Sequence, residues 1–322
     1  MLAGNQSGSL NSWFRFGLHS KYDSSTPQQT RKRSTEKLMK VPRFWHREWV
    51  RVPARDGSTG TWSIPRWGWS ENDSEEAEKM AAERCWQTKQ RWNNAADFSN
   101  NWYHNQEYFA IPAREEIVQE IANEEGGVDG WVSRNGYGVL VLNTDVMLII
   151  DMDRKETPMR KAAKGLWSSW FGTPIKSEEE KLIELFKANQ QDSFRLYRTF
   201  AGWRAILINR AVDGVAPSCI ELMKKFPVDP FYLKLCEKQK SYRARLTAKP
   251  WRIGVPRCNV GFPRSPHVEE YFSRWEQEYN AAATKFRACE KIYGEEGACE
   301  RLQNLLAIHD SLSQVQSGLP LA

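Results

Sequence analysis

Long apolar runs are missing from this 322-residue sequence: the longest, Val146 to Ile150, is strand-sized, far short of the roughly 20 residues that cross a bilayer as a helix. A helix-spanning membrane protein is thereby excluded. Histidine is scarce, with five copies at positions 19, 46, 104, 267 and 309. None stands at a metal-ligand interval from the six cysteines (85, 219, 236, 258, 289 and 299), and these contain no CxxC pair, which argues against structural zinc. There is no GxSxG, and Gly126-Gly127 and Gly136-Tyr137-Gly138 lack the spacing of a P-loop or a dinucleotide fingerprint, so both glycine groups read as turns. Nor does a basic start, apolar block and cleavage site open the chain. Buried thiols in a reducing compartment are expected, hence a cytoplasmic protein, with organelle targeting by residues 1–40 left open.

What is present is ordinary in bulk and uneven in detail. Hydrophobic residues make up 40% and charged residues 27%, a balance that supports one or two folded domains. The formal net charge is +6, and +5 of it lies in residues 1–40, where seven basic residues meet only Asp23 and Glu36. That stretch is rich in Ser, Gln, Asn and Gly and poor in apolar residues, so it reads as a disordered basic arm. A second excess lies between Lys234 and Arg264, where nine Lys or Arg residues face the single acid Glu237. Fifteen tryptophans exceed normal usage, and five of them (45, 49, 62, 67 and 69) crowd around the Asp56-Gly57 turn signal.

Periodicity and punctuation divide the rest. Residues 41–128 read as a Trp-rich β-hairpin followed by helices, one over 70–92 and another over 113–123 that stops at Gly126-Gly127. Residues 139–142 and 146–150 look like an antiparallel hairpin around Asn143-Thr144-Asp145. A helix over 178–189, paired strands over 194–199 and 203–209, helices over 218–226 and 230–238, and a strand over 242–247 follow. Counted from Val146 the order is β, α, β, β, α, β, the split βαβ arrangement of ferredoxin-like, RRM and palm domains. The expected fold class is therefore α+β: an RRM/palm-like antiparallel core over 129–265, then a helical segment over 266–322 with amphipathic stretches at 268–293 and 298–311.

Two patterns carry chemistry. Leu148-Ile149-Ile150-Asp151-Met152-Asp153 ends an apolar strand with two carboxylates on one sheet face. Hard Mg²⁺ or Mn²⁺ takes one or two such carboxylates and completes its shell with substrate phosphates and water, so Asp151 and Asp153 are candidate metal ligands and catalytic residues. The plainer reading is a solvated strand end. Arg243 and Arg245 alternate with Tyr242, Ala244 and Leu246, making one strand face cationic, and Lys249 and Arg252 extend it. Guanidinium groups on a rigid strand clamp phosphate oxygens in two-point contacts, against the plainer alternative of surface ion pairs. Trp167, Trp170 and Phe171 fall at helical spacing in the insertion after Asp153, as a core plug, a lid or a partner contact.

Over roughly Val139 to Trp251 the layout resembles the archaeo-eukaryotic primase-polymerase superfamily. Asp151 and Asp153 match its first motif, and Tyr197-Arg198-Thr199-Phe200-Ala201-Gly202-Trp203-Arg204 is similar to its second, with Arg204 where the family has His. For its third acid Asp213 and Asp229 are both candidates, and neither ends a strand in the sequence pattern. The resemblance implies metal-dependent use of nucleoside triphosphates, with Thr199 and Arg204 beside the phosphates. The segments Arg43-Phe44-Trp45, Trp67-Gly68-Trp69-Ser70, Tyr197-Arg198-Thr199 and Tyr242–Arg252 are also similar to a broadly distributed bacterial family that carries no assigned activity. The expectation is a nucleotide- or nucleic-acid-binding protein, with nucleotidyl transfer on Mg²⁺ or Mn²⁺ as its reaction. The alternatives are a non-catalytic binding module or a structural subunit that docks a protein partner through the Trp-rich hairpin.

Overall fold

The computed structural model describes residues 42–54, 57, 59–94, 112–154 and 177–322. Strands β1 (Phe44–Pro53) and β2 (Thr61–Ser70) form a two-stranded antiparallel hairpin. Helix α1 (Ser74–Asn94) lies directly against it. Its first turn is capped by Asp73, whose carboxylate accepts from the Glu76 N–H at 2.8 Å. A Cβ at Gly68 would stand 1.9 Å from the Ala77 carbonyl, so only a residue without a side chain permits this approach.

The body contains two four-stranded antiparallel sheets. The first runs β3-β4-β5-β9, from β3 (Glu116–Ala122), β4 (Val128–Arg134), β5 (Leu140–Thr144) and β9 (Tyr242–Arg245). The second runs β10-β7-β8-β6, from β6 (Ile149–Asp153), β7 (Phe194–Thr199), β8 (Gly202–Leu207) and β10 (Cys289–Tyr293). Among the described residues, helices α2 (Glu178–Lys187), α3 (Pro217–Lys224), α4 (Pro230–Gln239), α5 (Pro266–Ala283) and α6 (Glu300–Leu312) accompany the sheets, making an α+β architecture. The central core gathers Leu148, Ile149, Ile150, Met152, Leu196 and Ile206, each at most 1% exposed. Burying each such side chain contributes about 1.5–3 kcal/mol.

Several expectations are corrected. Residues 116–122 are strand, not helix: Glu116 to Ala122 pair with β4, and this ladder overrides a composition that suits a helix. Residues 139–150 do not form a hairpin. The Asp145 carbonyl accepts from Gly214 N, that of Val146 from Val212 N, and that of Leu148 from Leu207 N, so the chain runs on from β5 into the other sheet. The strand over 242–247 does not hydrogen-bond in the ladder beside β6. It pairs with β5, and β10 takes the fourth place on the far side of β7. β10 lies where a continuous helix to Tyr293 is expected; α5 stops at Ala283. The expectations for residues 1–40 and for Trp167, Trp170 and Phe171 fall outside the described residues.

Helices α4 and α6 both help to join the sheets. The buried Tyr232 hydroxyl on α4 donates to the Ile149 carbonyl of β6 at 3.1 Å and accepts from the Arg243 N–H of β9 at 3.2 Å. Helix α6 reaches both sheets: Arg301 makes a two-point contact with Asp129 of β4 at 2.9 and 2.8 Å, while Asp310 accepts from Arg195 and Tyr197 of β7 at 2.7 and 2.9 Å.

Candidate anion and metal site

β6 is the edge of its sheet, and its alternation sends Ile150 and Met152 into the core and Asp151 and Asp153 to the other face. β8 sets Arg204 opposite Asp151 and Gly202 opposite Asp153. A Cβ at Gly202 would lie 2.0 Å from the Met152 carbonyl, so glycine is required for the β7–β8 turn to close against β6. Arg204 Nε stands 3.8 Å from an Asp151 carboxylate oxygen.

Arg204 is 4% exposed and held from behind. Its Nη1 donates to the Arg245 carbonyl at 3.0 Å and lies 3.1 Å from His309 Nε2. A guanidinium only donates, so Nε2 accepts and the ring proton sits on Nδ1, facing the Asp310 carboxylate at 2.8 Å. Burial pushes the His309 pKa down, with Arg204 adding to the effect and Asp310 opposing it, which keeps the ring neutral. A continuous polar chain thus runs from Arg195 through Asp310 and His309 to Arg204 and Asp151.

β9 and the 3₁₀ turn Pro250–Arg252 bring up the remaining cations. The Arg245 pKa is pushed down to about 10, first by burial and then by Arg204 and Arg252, against the pull of Asp151. Lys249 is lowered by burial, Arg245 and Arg252, with Asp153 and Asp151 opposing. Arg252 is lowered by burial and held up by Asp153. The Asp151 carboxyl is shifted the other way: burial raises it more than Arg204 and Arg245 lower it, and Asp153 and Asp229 raise it further. Four cationic side chains therefore share one field with two carboxylates. Three buried N–H groups there, Arg204 Nε, Arg245 Nε and Arg252 Nη1, meet no hydrogen-bond acceptor among the described residues. An unsatisfied charged donor costs about 1–3 kcal/mol or more, so such a cluster marks a place where an acceptor is wanted.

Two of the sequence-predicted residues do not join. The Thr199 hydroxyl accepts from the Gly202 N–H at 3.1 Å and so closes the hairpin turn. Arg243 pairs with Glu115 at 2.5 Å. Of the two third-acid candidates, Asp213 is exposed in the loop before α3. Asp229 donates its N–H to the Asp151 carbonyl at 2.9 Å, but its carboxylate caps α4 through the N–H groups of Phe231 and Tyr232. Among the described residues no three His, Cys, Asp or Glu side chains gather as a metal-ligand set. The pair Asp151 and Asp153 fits an ion such as Mg²⁺ that takes most of its oxygens from ligand phosphates and water.

Sequence reading missed His309 and Asp310, which stand more than a hundred residues from their partners. The available signal was the stripe Leu302, Leu305, Leu306 and His309 on α6, whose helical spacing points the histidine inward. On the Trp-rich hairpin Arg47 lies over the rings of Trp49 and Trp67, Arg84 over Trp69 and Arg114 over Trp67. A groove of about 450 Å³ between the β3–β4 turn and the start of α6 shares no lining residue with the charged cluster. No helix among the described residues is long and apolar enough to cross a membrane. The chain matches no family model, no curated protein and no solved structure.

Proposed function

We propose that the cluster on β6, β8 and β9 binds the phosphates of a nucleotide together with a divalent ion. The observation that carries this reading is the set of buried N–H groups on Arg204, Arg245 and Arg252 that meet no acceptor among the described residues, beside the Asp151–Asp153 pair. Arg245, Lys249 and Arg252 would hold phosphate oxygens, and Arg204, fixed by His309 and the Arg245 carbonyl, would present Nε to the same ligand. Asp151 and Asp153 would hold Mg²⁺ or Mn²⁺, which neutralises phosphate charge when bound.

The order β7-β8-β6, with Tyr232 tying β9 to the free side of β6, supports an RRM- or palm-like description of this half and the primase-polymerase resemblance. One observation favours a second reading, binding without nucleotidyl transfer: the Asp229 oxygens serve as a helix cap, and no third ligand joins the pair among the described residues.

Calorimetric titration of a nucleoside triphosphate, with and without Mn²⁺, tests the proposal. Triphosphate should bind, Mn²⁺ should strengthen it, and Asp151→Ala/Asp153→Ala should abolish the Mn²⁺ effect; Mn²⁺ alone should bind weakly, because two carboxylates give it too few oxygens. Triphosphate binding that is indifferent to Lys249→Ala and Arg252→Ala would sink the proposal. A primer-extension assay then separates transfer from binding alone.

A further inference from the structure

Two large aromatic side chains flank the cationic cluster without joining any core. Phe200, at the tip of the β7–β8 turn, is 51% exposed, and Trp251, in the 3₁₀ turn, is 50% exposed. Each has a cation of the cluster against its ring: the Arg252 guanidinium lies 4.0 Å from the Phe200 centroid, and the Lys249 ammonium 5.4 Å from that of Trp251. The row continues, since Tyr137 meets Trp251 edge-on at 5.3 Å and Arg257 lies 4.6 Å from the Tyr137 ring.

Scattered exposed aromatics are ordinary, and a lone one would carry nothing. Here three rings and three cations are interleaved along one strip, and two of those cations, Lys249 and Arg252, belong to the field that surrounds Asp151 and Asp153. A protein-binding patch shares the aromatics and Arg of this strip but is depleted in Lys, and Lys249 stands in the middle of it. Single-stranded nucleic acid is different: its bases stack on ring faces while cations follow the backbone. A cation over one face of a ring leaves the opposite face for a base and stays near the neighbouring phosphate. Two platforms are also one more than a mononucleotide uses.

We propose that the strip Phe200–Arg252–Lys249–Trp251–Tyr137–Arg257 is a track for single-stranded nucleic acid that leads its backbone to the Asp151–Asp153 cluster. The inference rests on the phosphate-binding reading above and names the polymer as the larger ligand of that site. Paired bases are stacked inside a duplex and cannot lie on these rings, so double-stranded nucleic acid should bind more weakly.

The test uses the full chain and a fluorescein-labelled mixed-sequence DNA strand of about 12 nucleotides, followed by anisotropy, with its duplex as comparison. Binding should fall roughly 5- to 150-fold in Trp251→Ala and in Phe200→Ala, the range that removal of a base-stacking ring produces, and Trp251→Phe should restore most of it. The salt slope should be about −2, from three or so phosphates at roughly −0.7 each. Both rings are half-exposed, so a thermal melt should leave the alanine variants folded, and unchanged binding by folded variants overturns the inference. Tighter binding of the duplex than of the strand also overturns it. If the wild type binds triphosphate but no strand, the track is refuted and the phosphate site stands. If it binds neither, both fall.

Discussion

Tyr232→Phe removes one oxygen atom and tests whether the two sheets are joined as described. The hydroxyl is a substitute for a missing ladder rung: it accepts from the Arg243 N–H on β9 and donates to the Ile149 carbonyl on β6, at 3.2 and 3.1 Å. Burial raises its pKa well above the ordinary phenol value, so it remains a neutral donor across the working range. Phenylalanine keeps the ring packing but leaves a buried N–H and a buried carbonyl without this partner. Each lost bond is worth about 1 kcal/mol net, and a stranded buried group about 1–3 kcal/mol, so the variant should lose about 2–4 kcal/mol. Tyr242→Phe is the internal comparison, because that hydroxyl donates to the Gly214 carbonyl at 3.2 Å and bridges no second strand; about 1 kcal/mol is expected. Urea unfolding measures both. Asp151 and Arg245 each stand two residues along their strands from the bridged positions, so Tyr232→Phe should also weaken triphosphate binding. A loss no greater than that of Tyr242→Phe, with binding intact, would refute the hydroxyl as the joint between β6 and β9.

Asp151→Asn should stabilise the protein at pH 7. The folded state raises the Asp151 pKa, so the folded chain holds this proton to higher pH than the unfolded chain and loses stability as pH climbs from about 3.9 through the raised value. Thermal melts across pH should show the gap between variant and wild type closing below about pH 3.9, and a pH-independent gap would count against the assignment. Triphosphate affinity should fall as pH rises toward about 10, because Lys249 is lowered from its ordinary value and Arg245 is pushed down to about 10 in the same field. Lys249→Met should remove the lysine's share of that decline.

The residues legible from sequence alone are those whose role follows from local alternation. Ile149 to Asp153 announce an apolar strand that ends in carboxylates, and Tyr197 to Arg204 announce a hairpin. Tyr242 to Arg245 announce a strand with one cationic face, and the structure brings Asp151, Asp153, Arg204 and Arg245 together as that pattern suggests. What escaped was decided by long-range pairing. Glu116 to Ala122 have the acidic, intermittently apolar look of a helix, and only the β4 ladder makes them a strand. Asn143-Thr144-Asp145 has turn chemistry, yet hydrogen bonds from the 207–214 segment hold the following residues extended. Arg243 and Thr199 were assigned by strand face and by motif position, and neither criterion registers that Glu115 or the Gly202 N–H would claim them first.

The fastening of both sheets by α6 has a consequence for how the protein is made. Arg195 and Arg204 leave the ribosome 115 and 105 residues before the Asp310 and His309 that neutralise or orient them. At about 5–20 residues per second, that delay is roughly 5–20 s, during which β7 and β8 exist without the helix that satisfies their charged face. The charged cluster is therefore among the last parts to take shape, and a nascent chain halted before α6 would carry the aspartate pair with Arg204 held by the Arg245 carbonyl but without His309.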